Sequence, residues 1–377
     1  MKIEFYKHNI GTEEKTSILE TLDSIFLTTG PKTSQFESAF SSYLGAQYTV
    51  GVSSWTTGAF LTLKAWGIGS GDEVITTPLS FIATANAILH TGAKPVFVDV
   101  EPRTGNIDVH LIEKNITNKT KAIIPVHLYG QMTDIRRLRE IADQYHLKIL
   151  EDSAHCIEGH RDGIRPGQLS DAACFSFYAT KNITCGEGGA VVTNSRELYE
   201  ALLKYRLHGM DHSAAQRYTG IYRHWDMELL GYKANMSDIQ AALLIPQLKK
   251  IEDAWQKKEH ICQIYESVFL NLRGIDFPKV LPESKSARHI FTIWVNAEKR
   301  DDLLMRLQNK GIGVAVNFRA IHLLSYYKKT FGFKRGDFPV AEEIGDRTIT
   351  LPLYPKLKTD EITYITESVK DLVENDE

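Results

Sequence analysis

A lysine set between a short apolar run and a glycine-rich loop is the residue of this sequence best placed for chemistry. Lys181 lies in FSFYATKNITCGEGG, Phe175 to Gly189. It follows Ala172 to Phe177, which reads as a buried strand, and precedes Gly186-Glu187-Gly188-Gly189, where backbone can approach a ligand closely. Desolvation there disfavours the ammonium and lowers its pKa, which opens the neutral amine to Schiff-base chemistry with a carbonyl. Upstream, Lys148-Ile149-Leu150-Glu151-Asp152 reads as a strand ending in a carboxylate, at the edge where open α/β sheets bind ligands. An aspartate at that edge would pair with a protonated pyridine nitrogen. Lysine plus aspartate is the smallest set with which a protein holds pyridoxal phosphate as an electron sink. Taken singly, each has a plainer reading: a solvated strand-end charge for Lys181, and an N-cap for a segment beginning at Ser153 for Asp152.

The elements that must position these groups follow an alternating pattern. Strand-like runs at Glu73 to Thr76, Lys94 to Val98, Lys121 to Pro125 and Lys148 to Leu150 alternate with helical patterns at Phe81 to His90 and Asp134 to Tyr145. That alternation predicts an α/β domain with a mainly parallel sheet. The pattern from Met236 to about Phe269 predicts one extended helix leading into a smaller α+β unit. That unit would hold a strand at His289 to Val295 and helices at Arg300 to Lys310 and Asp360 to Val373. The expected division is a large cofactor-binding domain over 1–250, including the N-terminal segment, and a small domain over 251–377.

With these motifs in place the chain resembles, over nearly its whole length, the DegT/DnrJ family of sugar aminotransferases, which are fold-type I pyridoxal-phosphate enzymes. The resemblance is carried in order by TTGPK (Thr28 to Lys32), VSSWTTGAF (Val52 to Phe60), GDEVITTPLSFIATANAI (Gly71 to Ile88) and GAKPVFVDV (Gly92 to Val100). It continues through ILEDSAH (Ile149 to His155), the lysine segment, GYKANMSDIQAA (Gly231 to Ala242) and LPLYP (Leu351 to Pro355). It implies pyridoxal 5'-phosphate as cofactor, Lys181 as the Schiff-base lysine and Asp152 as the pyridinium partner. It implies further that His155 sits near the phenolic oxygen, that Phe81 stacks on the ring, and that Thr56, Thr57 and Ser176 hold the phosphate. Asn235 would reach that phosphate from the other subunit of a homodimer. A helix start is a sound anion site, since its free N–H groups and dipole both favour a phosphate. Relatives carry a small residue where this chain has Trp55; the indole would crowd the phosphate, narrow the substrate mouth or pack away.

Individually, these residues also have ordinary readings. Phe81 has helical spacing with Ala85 and Ile88 and reads as core. Ser176 reads as a half-buried strand serine, Asn235 as a helix cap, and His155 as a structural histidine. Only the ordered set overturns them.

The resemblance implies two half-reactions in which Lys181 moves protons: glutamate gives up its amine, and a nucleotide-linked keto sugar accepts it. KNITCGEGG, TTGPK, EDSAH and NFRAIHLLSYY (Asn317 to Tyr327) look closest to enzymes that aminate C4 of UDP-linked 4-keto sugars in the manner of 4-amino-4-deoxy-arabinose synthesis. Thr29, Arg319 and His322 are the expected substrate-binding residues, the last two through charge-assisted hydrogen bonds. Arg288 departs from that branch, which usually has an aromatic before the histidine. Two rival readings are a C3 aminotransferase acting on a dTDP-linked 3-keto sugar and a pyridoxal-phosphate-binding regulator without turnover.

Composition suits a large cytoplasmic enzyme. The 377 residues are 43% hydrophobic and 24% charged, with a net charge of -3. This gives no expectation of nucleic acid or an anionic membrane as partner. Cys156, Cys174, Cys185 and Cys262 lack paired ligand spacing, as expected in a reducing compartment. The N-terminus has no long apolar run, and no stretch approaches a membrane span. Gly67, Gly69 and Gly71 precede a strand instead of following one, so they read as a turn and not a dinucleotide fingerprint. His208 and His212 lack a third ligand nearby, and no metal site is expected.

Overall fold

The computed structural model describes residues 1–211 and 224–374; the expected residues His212 and 375–377 lie outside them. In chain order the large sheet is built from β1 (Tyr48–Val52), β2 (Glu73–Thr76), β3 (Lys94–Phe97), β4 (Thr120–Ile124), β5 (Lys148–Asp152), β7 (Ala172–Ser176) and β8 (Gly189–Thr193), the short β6 (His160–Arg161) lying outside it. Its strand order is β1-β8-β7-β5-β4-β2-β3. β3, β2, β4, β5 and β7 pair in parallel, while β8 runs antiparallel to both of its neighbours. The parallel strands are almost wholly buried on both faces, as crossover helices demand.

Helices α1 (Thr12–Leu22), α2 (Pro31–Leu44), α3 (Trp55–Ala65), α4 (Ala83–Thr91), α5 (Ile135–Tyr145) and α6 (Arg196–Tyr205) accompany this sheet. Side-chain alternation along β7 decides what each face meets. Phe175 and Phe177 join Phe36 and Phe40 of α2 in edge-to-face contacts. Cys174 points the other way, into the cluster with Trp55 and Ala59 of α3. Ser176, two residues on, shares that side.

Register gathers the strand ends. Asp152 pairs with Cys174, Ser176 with Gly189, and Gly189 with Val52. The end of β5, the end of β7, the start of β8 and the chain entering α3 therefore meet at one edge. Closeness there dictates glycine: a Cβ on Gly189 would lie 2.5 Å from the Ser54 carbonyl carbon and 2.6 Å from the Trp55 nitrogen.

The extended helix expected from Met236 to Phe269 is two helices, α7 (Asp238–Lys249) and α8 (Ile251–Phe269). They break at Lys250, which leaves helical geometry (φ -113°, ψ 18°) and whose N–H falls back to Gln247 three residues earlier. Ser237 caps α7 through a capping box with Gln240, so Asn235 is not a cap. The second unit packs α8, α9 (Arg300–Asn309) and α12 (Thr359–Glu374) on the antiparallel pair β10 (Phe291–Trp294) and β11 (Thr348–Leu351). Ile3 is buried in that same cluster and bridges to Ile312. The N-terminal segment, expected in the large domain, thus contributes to the core of the small one.

Candidate active site

The sheet edge opens into a cavity of about 520 Å³ whose wall includes Lys181, Asp152, His155, Ser176, Thr56 and Phe81. Lys181 stands in the loop between β7 and β8, its backbone pinned by its own N–H to the Tyr178 carbonyl (2.9 Å) and by the Tyr6 hydroxyl donating to its carbonyl (3.2 Å). Among the described residues no side chain hydrogen-bonds its amine. Burial pulls the Lys181 pKa down to about 8 against the opposing attraction of Asp152. A sizeable fraction of neutral amine is therefore present near physiological pH.

Asp152 ends β5. Its Oδ2 accepts from Thr84 Oγ1 (2.7 Å) and its Oδ1 from the Ala154 N–H (3.2 Å). Burial nevertheless raises its pKa to about 6. The Ala154 contact is all that remains of the expected N-cap, because no helix follows Ser153. His155 is buried with Nδ1 unpartnered and is held neutral, its pKa well below the ordinary value through burial and then the nearby Lys181.

Phe81 is 57% exposed although apolar. It precedes α4 instead of lying within it, and its ring faces the cavity at 6.1 Å from that of Phe318. Thr56 lies in the first turn of α3, where Ser54 caps by accepting the Thr57 N–H. Thr57 is turned toward that cap, its Oγ1 2.8 Å from Ser54 Oγ, and is not part of the wall. Trp55 is 5% exposed and donates its indole N–H to the Cys174 carbonyl (3.1 Å), so most of its bulk packs on β7, although the residue also forms part of the cavity wall.

The remaining expected residues lie elsewhere. Asn235 donates to Thr29 Oγ1 (2.7 Å) at a partly open corner beside the end of β1, away from the chain's own cavity. Thr29 in turn donates to the Met236 carbonyl. Arg319 lines a second cavity of about 560 Å³ together with Lys328, Lys334 and Arg335. His322 is fully buried with Nε2 2.8 Å from Glu342 in the first turn of α11 (Pro339–Arg347), so the expected substrate contact gives way to an interior one. Arg288 likewise turns away, to Glu259 and Glu266 of α8 at 2.6 Å each. Those two glutamates neutralise the buried cation.

Sequence reasoning passed over Tyr6, Thr84 and His289, all of which line the cavity. Thr84 alone had a local signal, three residues beyond Phe81 at the start of a helix.

The arrangement fits pyridoxal phosphate. A lysine whose pKa burial lowers, a buried carboxyl, a neutral histidine, an open aromatic face and a helix start converge on one cavity. Among the described residues no group of three or more His, Cys, Asp or Glu could hold a metal ion. No helix among them is long and apolar enough to cross a membrane, and all four cysteines are free and buried.

Comparison with known proteins agrees with this reading. Residues 8–370 match the model of the DegT/DnrJ/EryC1/StrS aminotransferase family. The spore coat polysaccharide biosynthesis protein SpsC of Bacillus subtilis is 42% identical over 371 residues, covering 97% of this chain and 95% of that protein. Spr1654 of Streptococcus pneumoniae, described as a sugar aminotransferase and solved in PMP form, superposes with a TM-score of 0.94 at 32% identity over 99% of this chain and 100% of that one. Helicobacter pylori PseC, an aminotransferase involved in the biosynthesis of pseudoaminic acid, superposes with a TM-score of 0.93 at 30% identity over the whole of both chains.

Proposed function

The chain belongs to the DegT/DnrJ/EryC1/StrS aminotransferase family and is a pyridoxal-phosphate-dependent sugar aminotransferase, and from that premise we propose that it moves the amino group of glutamate to C4 of a UDP-linked 4-keto sugar. The observation that carries the reading is the partly desolvated Lys181 facing, in one cavity, a buried carboxyl with room for a cation. The resemblance of KNITCGEGG and NFRAIHLLSYY to C4-aminating enzymes supports the position of attack. The names of SpsC and PseC support a role in making amino sugars for surface polysaccharide or glycan.

Bound in this cavity, pyridoxal phosphate supplies the electron sink that lets an amine and a carbonyl exchange. Asp152, oriented by Thr84 and the Ala154 N–H, holds a positive charge at the pyridine nitrogen. Thr56, Ser176 and the first turn of α3 bind the phosphate, with Thr57 tightening that turn through Ser54. Phe81 would cover the cofactor ring, and His155 would be the side chain available to its phenolic oxygen. Lys181 would take the α-proton of glutamate in one half of the reaction and deliver a proton to the sugar carbon in the other, a role that needs an amine with a pKa near neutrality. Asn235 and Thr29, at an open corner, serve the site of a second copy, so the working unit is a homodimer. Arg319 and its neighbouring cations form an anionic-ligand surface beyond Phe318.

Visible absorption of the holoenzyme tests the proposal. The cofactor band is expected to vanish with glutamate and return with a UDP-4-keto-6-deoxy sugar. NMR of the product then reads the position of the new amine. A band that ignores glutamate, or an amine found at C3, overturns the corresponding part.

A further inference from the structure

Behind the lysine cavity runs a chain of buried polar groups that the mechanism above does not use. Lys258, 3% exposed, has its ammonium 3.5 Å from Glu158 Oε1 and donates to the Ala287 carbonyl at 3.3 Å. Asn182, the residue after Lys181, donates through Nδ2 to Glu158 Oε2 (2.6 Å) and to the Ala287 carbonyl (3.0 Å). Both of those partners are acceptors, which fixes the amide orientation. Asn182 Oδ1 therefore has only acceptor capacity toward His289 Nδ1, 3.0 Å away, and Nδ1 must carry the proton.

A neutral imidazole protonated on Nδ1 has a bare lone pair on Nε2. That nitrogen has no partner among the described residues, yet it is not one of the sealed, partnerless atoms of the interior. It opens toward the cavity that His289 lines. The ring stands 4.3 Å from that of His155 at an interplanar angle of 35°, a tilted contact, and no hydrogen bond joins the two. Burial, with His155, Lys181 and Lys258 around it, keeps His289 uncharged.

We propose that His289 is a specificity-determining residue whose Nε2 accepts a hydrogen bond from a hydroxyl of the sugar substrate, with Asn182, Glu158 and Lys258 as positioning residues that hold its tautomer. A lone pair on a neutral ring repels carboxylates and phosphates and selects a donor, and hydroxyls are the donors a sugar brings. A pocket built to meet a hydroxyl rejects the analogue that lacks it more strongly than an apolar pocket can. The inference rests on the sugar-nucleotide reading above and goes beyond it by naming the group that reads the sugar.

Calorimetric binding to the holoenzyme tests it without turnover, using UDP-N-acetylglucosamine and UDP as probes. His289→Phe, which keeps an aromatic ring, is expected to weaken the UDP-sugar about tenfold and leave UDP unchanged. His289→Gln, which keeps an acceptor at the same reach, recovers part of the loss, and Asn182→Leu shows a loss of the same direction. Equal UDP-sugar affinity in His289→Phe and wild type overturns the inference, as does a parallel fall in UDP affinity. A wild type that bleaches with glutamate but binds neither probe overturns the UDP-sugar reading and this inference together. A wild type that binds both probes, with His289→Phe indistinguishable from it, overturns the inference alone.

Discussion

Glu151 and Asp152 are neighbours on β5, both buried, and they end on opposite faces of the strand in opposite circumstances. Glu151 is fully served: His127 Nε2 lies 2.6 Å from one oxygen, while the Gly167 N–H (2.7 Å) and the Ser170 hydroxyl reach the other. His127 is itself fixed, because the Thr133 N–H donates to its Nδ1 at 3.2 Å, so Nε2 bears the proton toward Glu151. Asp152 has one hydroxyl and one longer backbone contact, and burial leaves its pKa at about 6. The same division separates the histidines, since His127 is bonded at both nitrogens while His155 has Nδ1 bare. A closed polar network in an interior holds the fold together, whereas Asp152 and His155 keep bonding capacity to spare in the wall of a cavity.

The largest expected effect is on the open side. Lys181→Ala should lower aminotransfer by about 10³-fold or more, the scale of a lost nucleophile and proton carrier. Borohydride reduction followed by peptide mass spectrometry should find the cofactor mass on Lys181 in the wild type. Cofactor attached to any other lysine would refute the assignment.

The two carboxyls can then be set against each other. Asp152→Asn should cost about 10²-fold in turnover by removing a preorganised charge, whereas Glu151→Gln should leave the turnover of folded molecules within a few-fold. Stability should move the other way. Asp152 has a folded-state pKa raised from 3.8 to about 6, so its destabilising contribution is fully present above pH 6 and is lost as pH falls through that window. Apo Asp152→Asn is expected to be more stable than wild type by about 1 kcal/mol near pH 8, part of the gain being cancelled because Lys181 loses its counter-charge. Below about pH 4 the difference disappears. Glu151→Gln turns a triple acceptor into a mismatched amide and should lose about 2 kcal/mol or more across the same range. Denaturant melts of both variants at the two pH extremes decide the matter, and stability changes of the same sign would dissolve the contrast.

Smaller is the effect at the corner outside the chain's own cavity. Asn235→Ala should weaken cofactor affinity by roughly tenfold if the residue serves a second copy, with the loss largest at dilutions where sedimentation finds monomer. Unchanged affinity in a dimer would remove Asn235 from the site.

Much of this was readable before the fold was known, and the reason is physical. The strands begin and end within a residue or two of their apolar runs, because parallel strands buried on both faces leave a strong compositional mark. Lys181 and Asp152 drew notice through the apolar strand runs beside them, whereas Ser176 and Thr56 entered only through the family resemblance, because their own neighbours read as ordinary strand and helix. His322 was not: its partner Glu342 belongs to another helix, and nothing local says that a charged-looking histidine will be buried against it. Phe81 misled in the other direction, since its spacing with Ala85 and Ile88 is that of a core residue although it ends up 57% exposed. Ile3 crosses to the C-terminal core through a pairing with Ile312 that no window along the chain can contain. The misreadings of His322 and Ile3 share one cause, a partner outside the local stretch of chain.

Trp55 supplies the finest test of the contrast, because it stands at the boundary between closed and open groups. Its indole N–H closes the Cys174 carbonyl, two residues before Ser176 on the same face of β7, and its bulk is buried in the core cluster with Ala59 and Val191. If the tryptophan belongs to the closed side, Trp55→Phe keeps most of the apolar contact, leaves the Cys174 carbonyl with the Ser153 N–H (2.9 Å) as its remaining donor, and costs about 1 kcal/mol of stability or less. Cofactor affinity then stays within about twofold, because the loss of a net hydrogen bond inside the sheet does not reach Thr56 in the helix turn. A rise in affinity on shortening the side chain would instead mean that the indole presses on the phosphate, placing it among the groups that shape the ligand site.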